Sequence, residues 1–480
     1  MNKRFNNFYC KLFFVIIPFF NEIPIFMSVF TPCLKIGLIL SLAYIVYDLF
    51  TSKNILKMNY ITLIAIFVGA VTIGTLLNYK SDMFKMNIIE IFYMIAAMLV
   101  LFMVPKDSSK EQCYKELRSI GYILSGLISV VSLISLVMYF SKIGFSYTYN
   151  DYEYHLGIYD GRLVGLYRNS IYPTAAIGLF VSILQLMLNK TYFLVKKSWA
   201  NKLLVLGAAI NFLTVSLQNS KGLIIGLCIA TAFAAFICAF KAQTGCPLVL
   251  QKLQQKQRFL VAVPFAGAVL GVCYGLLWAL RKLSSLIIFA VGFLFDSSKE
   301  ETFEEAQAFF ERQDVSGKYG ALTGRPYIWS SGLKYFKDSP IVGYGPKTFA
   351  NIIKPYEGST EQITHFHNIF IHVLVSGGIV GFVAFFTMFL LIGIRIIKAL
   401  MEEYNRKDYA VVLSLSTLLV FVLVINLADT TILFATKHSG YLFFILLGYL
   451  LALIEDKSEY KLDVPFKKLA KLLSKKGEKA

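Results

Sequence analysis

An all-α integral membrane protein with about twelve transmembrane helices is the fold class that this 480-residue chain predicts, and three observations carry the prediction. Hydrophobic residues make up 57% of the chain and charged residues only 16%, and the mean hydropathy is +0.63. That leaves too little polar surface to wrap a water-soluble core of this size. The apolar residues are gathered into runs of spanning length instead of being spread at amphipathic spacing. The 47 Lys and Arg, against 29 Asp and Glu, lie scattered between those runs. A nucleic-acid binder would gather them on one soluble face, so nucleic acid is set aside and the charge is read as loop charge that sets membrane orientation.

The runs fall at 12–30, 33–50, 60–78, 87–104, 119–140, 171–189, 203–217, 222–240, 259–280, 368–394, 409–428 and 438–454. The first follows Lys3, Arg4 and Lys11 but has no small-residue cleavage site before the next run, so it reads as a retained span. It contains Pro18, Asn21, Glu22 and Pro24, and the 203–217 run is short; either could reduce the count to eleven. Placing both termini in the cytoplasm puts the larger share of Lys and Arg inside, as the positive-inside rule requires. The seven cysteines include no CxxC pair and mostly accompany apolar runs, which points to small buried hydrophobes.

This topology divides the chain into 1–280, with nine spans and a medium external loop at 141–170; a long external loop at 281–367; three spans over 368–454; and a basic cytoplasmic tail at 455–480. In the long loop, Leu283 to Phe295 is too short for a comfortable span and reads as interfacial or dipping into the protein. Phe303, Ala306 and Phe310 share one face of a charged amphipathic helix, and in the tail Phe466, Leu469 and Leu473 lie opposite lysines, as in a helix resting on anionic lipid. The tyrosines Tyr147, Tyr149, Tyr152, Tyr154 and Tyr159 of the medium loop suit either an interfacial belt or platforms for sugar rings. No internal repeat is visible, which weighs against a transporter built from related halves.

The long loop holds the string GRPYIWSSGLKYFKDSPIVGYGPKTF, followed after a polar gap by THFHNIFIHVLVSGGIVGF. Arg325, Trp329, Pro340, Gly343, Gly345 and Phe349, then His367 and Asn368 at the mouth of a span with Gly378 and Gly381 inside it, resemble the signature of the O-antigen ligase and repeat-unit polymerase superfamily. Two earlier segments are similar more loosely. TVSLQNSKGLIIG resembles the Ser-Arg-Gly turn between two spans, with Lys221 in place of the arginine, and GRLVGLYRNSIYP resembles an Arg-x-x-Gly loop in which the usual Asn-Pro pair is altered. Lysine offers a point charge where arginine offers a planar fork.

The resemblance implies a metal-independent membrane glycosyltransferase of the bacterial cytoplasmic membrane, with no cofactor and its site on the external face. It would join polyprenyl-diphosphate-linked oligosaccharide repeat units into a capsular or O-antigen type polysaccharide. A ligase acting on another acceptor is the near alternative, and a lipid-linked oligosaccharide flippase is the alternative from another class. The implied partners are the lipid-linked oligosaccharide, membrane lipid, a chain-length regulator and a flippase. Negative charge growing on the departing diphosphate calls for fixed cations, which makes Arg325, Arg162, Arg168 and Lys221 candidates. The acceptor hydroxyl must lose a proton, which His367 is placed to take, with Asn368 and Trp329 holding the sugar or the ring. His365, His367 and His372 match no zinc-helix spacing and have no acid at a matching helical position, so a metal is not expected.

Overall fold

The computed structural model describes residues 7–150, 152–159, 161–167, 173–195, 198–241, 255–295, 325–351, 365–402, 408–434, 437–454 and 461–477. Among these, helices follow the apolar runs: α1 (Asn7–Asn21), α2 (Met27–Phe50), α3 (Ile61–Leu77), α4 (Phe84–Ile95, continued by a π-helical turn over Ala96–Leu101) and α5 (Lys110–Phe140). After a small sheet come α6 (Thr174–Met187, continued by a π turn over Leu188–Tyr192), α7 (Trp199–Gln218), α8 (Lys221–Lys241) and α9 (Gln255–Phe295). Then follow α10 (Arg325–Asp338), α11 (Ile369–Glu402), α12 (Tyr409–Ile425), α13 (His438–Leu453) and α14 (Val464–Gly477). Eight of the described helices are long and apolar enough to cross a membrane, and α1, α3, α12 and α13 are shorter apolar helices of 10–17 residues.

The sheet lies where sequence alone reads a loop. β1 (Gly144–Tyr149), β2 (Tyr152–Tyr159) and β3 (Arg162–Gly165) form an antiparallel meander in the order β1-β2-β3. The alternation of Tyr and Thr with smaller residues suits strands, and the inward face seats Tyr154 and Leu156. A further difference concerns a helix end. The stretch from Leu283 to Phe295 is no separate interfacial segment but continues α9 without a break, so the long connection begins after Phe295 and not at 281. The Phe303 to Phe310 helix lies outside the described residues. In the tail, α14 forms as expected, with Leu469 exposed and Phe466 packed on the core.

Between helices in lipid the apolar surface supplies no net drive, so close packing and internal polar bonds hold the bundle. Among the described helices, α13 is buried on nearly every face from His438 to Leu450, whereas α9 is mostly exposed. Glu22, just past α1, is buried among apolar neighbours. Its carboxylate accepts from Thr174 Oγ1 at 2.8 Å and from the His438 N–H at 2.9 Å, which ties the end of α1 to the starts of α6 and α13. The acid that weakened the first span on composition is thus a satisfied acceptor at two helix N-termini, where negative charge is favoured. At the opposite end, Asn7 Nδ2 donates to the carbonyls of Val100 (3.3 Å) and Met103 (2.7 Å), which flank the end of the π turn.

α11 is broken in its third turn at Gly378, where φ is 60° and ψ −167°. The freed backbone groups are paired by the turn after α10: Tyr344 N donates to Val375 O (3.0 Å), Gly345 N to Ser376 O (2.9 Å) and Ile379 N to Pro340 O (2.8 Å). Backbone meets backbone here, so a Cβ at Gly378 would fall 2.2 Å from Ile341 O, and one at Gly343 (φ 69°) 2.4 Å from Val375 O. Only glycine meets both demands, positive φ and close approach.

Candidate functional site

Two segments far apart in sequence converge at the end of the bundle where α11 begins and α12 stops. Asn368 caps α11, its Oδ1 accepting from Phe370 N (3.0 Å) and Ile371 N (3.2 Å). Its Nδ2 donates to Leu427 O at 3.0 Å, and Ile369 N to Asn426 O at 3.0 Å. The loop after α12 is shaped by buried Asn426, whose Oδ1 accepts from the N–H groups of Thr431 (2.8 Å) and Ile432 (3.1 Å). Asp429 projects from that loop toward the segment preceding α11.

On Asp429 the polar groups meet. Oδ1 accepts from Thr430 N (2.7 Å), and His365 Nε2 lies 3.2 Å and His367 Nδ1 3.5 Å from the same oxygen. Lys437 Nζ lies 3.4 Å from Oδ2. The two imidazoles sit 4.0 Å apart at 48°. Arg325, opening α10, donates from Nε to Ala428 O at 3.0 Å, which brings its guanidinium beside the residue preceding Asp429. Trp329, one helical turn on, donates its indole N–H to Phe366 O at 3.0 Å, between the two histidines. Below them Phe366, Phe349, Ile328 and Val375 form a small buried core, with the Phe349 and Phe366 rings 4.3 Å apart.

The electrostatics follow from this crowding. Burial by itself would raise the Asp429 carboxyl, but Lys437, His365 and His367 together outweigh it and hold it well below the usual carboxylate range. His365 is lowered to about 4, first by burial and then by the neighbouring His367 and Lys437, against the opposing pull of Asp429. At neutral pH Asp429 is therefore an anion and His365 a neutral ring that donates Nε2–H to it. His367 is held at positive φ (49°), an uncommon conformation for a non-glycine residue and one that turns the ring toward the carboxylate.

Of the residues singled out in the sequence, Arg325, Trp329, His367 and Asn368 come together around this point. His372 does not join them: it is fully buried in α11, with Nε2 3.0 Å from Pro346 O and its ring stacked on Phe434. Lys221 is exposed at the start of α8, after the left-handed Asn219 (φ 49°) that ends α7. Arg281, on α9, donates to Asn219 Oδ1 at 2.8 Å and braces that turn. α8 packs on α12, a Cβ at Gly226 meeting Ile425 at 2.7 Å, so Lys221 belongs to the same end of the bundle as Asp429. Arg162 lies on β3, opposite Tyr159, and Arg168 lies outside the described residues.

Asp429, Lys437, Lys347 and Arg281 are not singled out by sequence reasoning. Lys347, partly buried, donates to Phe434 O at 2.6 Å and lies 3.5 Å from Glu90, which ties the loop of Asp429 to α4. The usable signal for Asp429 is an acid in a short polar gap between two apolar runs, at the same end as His367. An acid does accompany the histidines, brought from a separate loop and not from a matching helical position. His365, His367 and Asp429 present ligand atoms within 4.8 Å of one another, a donor set that suits a divalent cation. Lys437 shares that carboxylate, however, and a dication beside its ammonium would meet a repulsion on the order of several kcal/mol at an effective dielectric near 20.

Residues 206–386 match a family model described as O-Antigen ligase, a span that runs from α7 through α11 and contains Arg325, Trp329, His367, Asn368 and the broken helix at Gly378. Both this match and the relative below support the resemblance to the O-antigen ligase and polymerase superfamily. Among curated proteins, the chain is 24% identical over 224 residues to the exopolysaccharide production protein ExoQ of Rhizobium meliloti (strain 1021). The aligned part is 45% of this chain and 48% of the relative, so the chain spans about half the length of the curated relative it matches. The superfamily and the apolar helices together make it a multi-pass membrane protein.

Proposed function

We propose that the protein is a metal-independent membrane glycosyltransferase that joins polyprenyl-diphosphate-linked oligosaccharide repeat units into a capsular or O-antigen type polysaccharide. Its site would lie on the external face of the bacterial cytoplasmic membrane, with both termini in the cytoplasm, about twelve spans, and a chain-length regulator and a flippase as protein partners. The observation that supports the reading best is the meeting of His367, His365 and Lys437 on Asp429, with Arg325 anchored at Ala428.

With Nδ1 of His367 3.5 Å from the Asp429 carboxylate, the proposed tautomer carries the ring proton on Nδ1 and the lone pair on Nε2. Nε2 then takes the proton of an acceptor hydroxyl as its oxygen forms a bond to the anomeric carbon of the donor, and the carbon to diphosphate-oxygen bond breaks. Asp429 orients the imidazole and stabilises the imidazolium that forms. The charge that develops on the departing lipid diphosphate is met by Arg325, with Lys221 as a further cation of the same end and Arg162 and Arg168 as the remaining candidates from the sequence. Asn368 and Trp329, whose side chains bond to the backbone, act in this reading by holding the His367 segment in place. Lys437 supplies the positive charge on Asp429 that a metal would otherwise bring.

The direct test supplies purified protein in detergent with the lipid-linked repeat unit and follows polymer ladders, with and without EDTA. Ladders that persist in chelator are expected. Loss on EDTA with rescue by a divalent ion would overturn the metal-free mechanism, and transfer to a lipid A core with no polymer would favour the ligase. Movement of the lipid-linked unit across a vesicle membrane with no new glycosidic bond would favour the flippase.

A further inference from the structure

The connection from α3 to α4 borders an open cleft of about 600 Å³ that takes no part in the site around Asp429. It is lined by Leu77, Asn78, Tyr79, Lys80, Ser81 and Asp82, and by Thr348 from the turn after α10. The volume falls within the roughly 300–1,000 Å³ of small-molecule sites. The lining is built in advance of any occupant: Asn78 Nδ2 donates to Gly74 O (2.8 Å), Ser81 N to Asn78 O (3.0 Å), Phe84 N to Ser81 O (2.9 Å) and Met83 N to Ser81 Oγ (3.2 Å). Buried Thr348 donates to Tyr344 O and accepts from Asn87 Nδ2, both at 2.8 Å.

The chemistry of the lining selects among ligands. One cation, Lys80, and one anion, Asp82, leave no excess of positive charge with which to hold a diphosphate. Tyr79 is 60% exposed, with Lys80 Nζ over its ring at 5.8 Å from the centroid, and Asn78, Ser81 and Asp82 supply further donors and acceptors around it. An aromatic face ringed by short polar groups matches a pyranose, which is apolar on its faces and carries hydroxyls around its rim. Thr348 follows Lys347, whose ammonium bonds Phe434 O in the loop that carries Asp429. The cleft therefore borders the candidate site through one short segment of chain.

We propose that this cleft is a saccharide subsite that binds sugar residues of the glycan, remote from the diphosphate, and so positions the chain relative to Asp429. The proposal rests on the reading of the protein as a glycan transferase. Tyr79 supplies the stacking surface, and Lys80 and Asp82 the hydrogen bonds to hydroxyls.

The test uses the purified full chain in detergent and, as probe, oligosaccharides released by partial acid hydrolysis of the producing strain's own surface polysaccharide. Their binding is followed by saturation-transfer NMR and titration calorimetry. Tyr79→Ala should weaken binding about tenfold, Tyr79→Phe should retain it, and the Lys80→Ala, Asp82→Ala double variant should weaken it whether or not Tyr79→Ala folds. Inorganic diphosphate should not displace the oligosaccharide, and Asp429→Asn should bind it as the wild type does. Equal binding by wild type, Tyr79→Ala and the double variant overturns the proposal, as does displacement by diphosphate, or binding of phospholipid vesicles that depends on Tyr79 while oligosaccharide binding does not. If wild-type protein forms no polymer yet Tyr79→Ala still weakens oligosaccharide binding, the transferase reading fails and the subsite stands.

Discussion

His367 Nδ1 lies 3.5 Å from Asp429 Oδ1, across the gap between the mouth of α11 and the loop that follows α12. That pairing gives the ring one defined orientation, with Nε2 directed away from the carboxylate. Asp429→Asn keeps the shape and removes the charge, so it should lower the rate of polymer formation by at least about 10²-fold. His367→Ala should match it, within the roughly 10²- to 10⁴-fold range of a lost general base, and His365→Ala should be milder. Initial rates with purified variants, with membrane abundance checked for each, decide this. Near-normal rates from both Asp429→Asn and His367→Ala would remove the pair from the mechanism.

Arg325→Lys keeps the positive charge but cannot donate from Nε to Ala428 O, and it loses the planar fork. Transfer should fall about tenfold or more, whereas Lys334→Arg, on the same helix, should leave it unchanged. Wild-type activity in the Arg325→Lys variant would make the charge alone sufficient.

Gly378→Ala should be strongly destabilising, because the backbone at φ 60° already costs about 1–3 kcal/mol for a residue with a Cβ, and that Cβ would lie 2.2 Å from Ile341 O. Gly393→Ala, on the same helix with nothing within 4 Å of the added carbon, should be neutral. Thermal midpoints in detergent should separate the two by several degrees. Equal midpoints would show that the turn at Pro340 to Gly345 yields without cost.

His365 takes up its proton near pH 4 in the folded protein but near pH 6.5 when unfolded, so between those values the unfolded chain binds more protons. Its contribution to stability is therefore complete above about pH 6.5 and declines as the pH falls toward 4, by on the order of 3 kcal/mol. Asp429, depressed, keeps its own contribution until the pH drops below the ordinary carboxylate value near 3.9. Thermal midpoints measured from pH 7.5 to 4.5 should decline in the wild type, and the decline should be shallower in His365→Gln. Parallel curves would remove His365 as the titrating group.

A reporter fused after Asp314 should be external, and one fused after Lys407 or at the carboxy terminus cytoplasmic, because the distribution of Lys and Arg predicts that orientation by the positive-inside rule. A cytoplasmic signal from the Asp314 fusion would move the proposed site to the wrong face of the membrane.

The positions of the apolar helices were legible in the sequence because hydrocarbon imposes a length and a polarity that any span must meet locally. The segment from Arg325 to Phe349 and the His367-Asn368 pair were legible through their resemblance to the O-antigen ligase and polymerase signature, whereas the capping role of Asn368 was not. The strands of 144–165 were not, since tyrosine-rich alternation serves an interfacial loop and a sheet equally well until partners are in register. Neither was the continuation of α9 past Arg281, where charge interrupts the apolar run but not the helix.

What the sequence by itself determined is therefore the membrane class, the places where the chain crosses between polar ends, and the kinds of residue gathered near one end. What only the tertiary structure decided is which of them meet. Asp429 has no periodicity or spacing that links it to His365 and His367, and Lys437 none that makes it their counter-charge. The acid is brought to them by the packing of α11 against the loop after α12, through the bonds of Asn368 and Asn426. Those contacts are set by how whole helices seat, and the broken helix at Gly378 seats only because the Pro340 to Gly345 turn supplies the backbone partners it lacks.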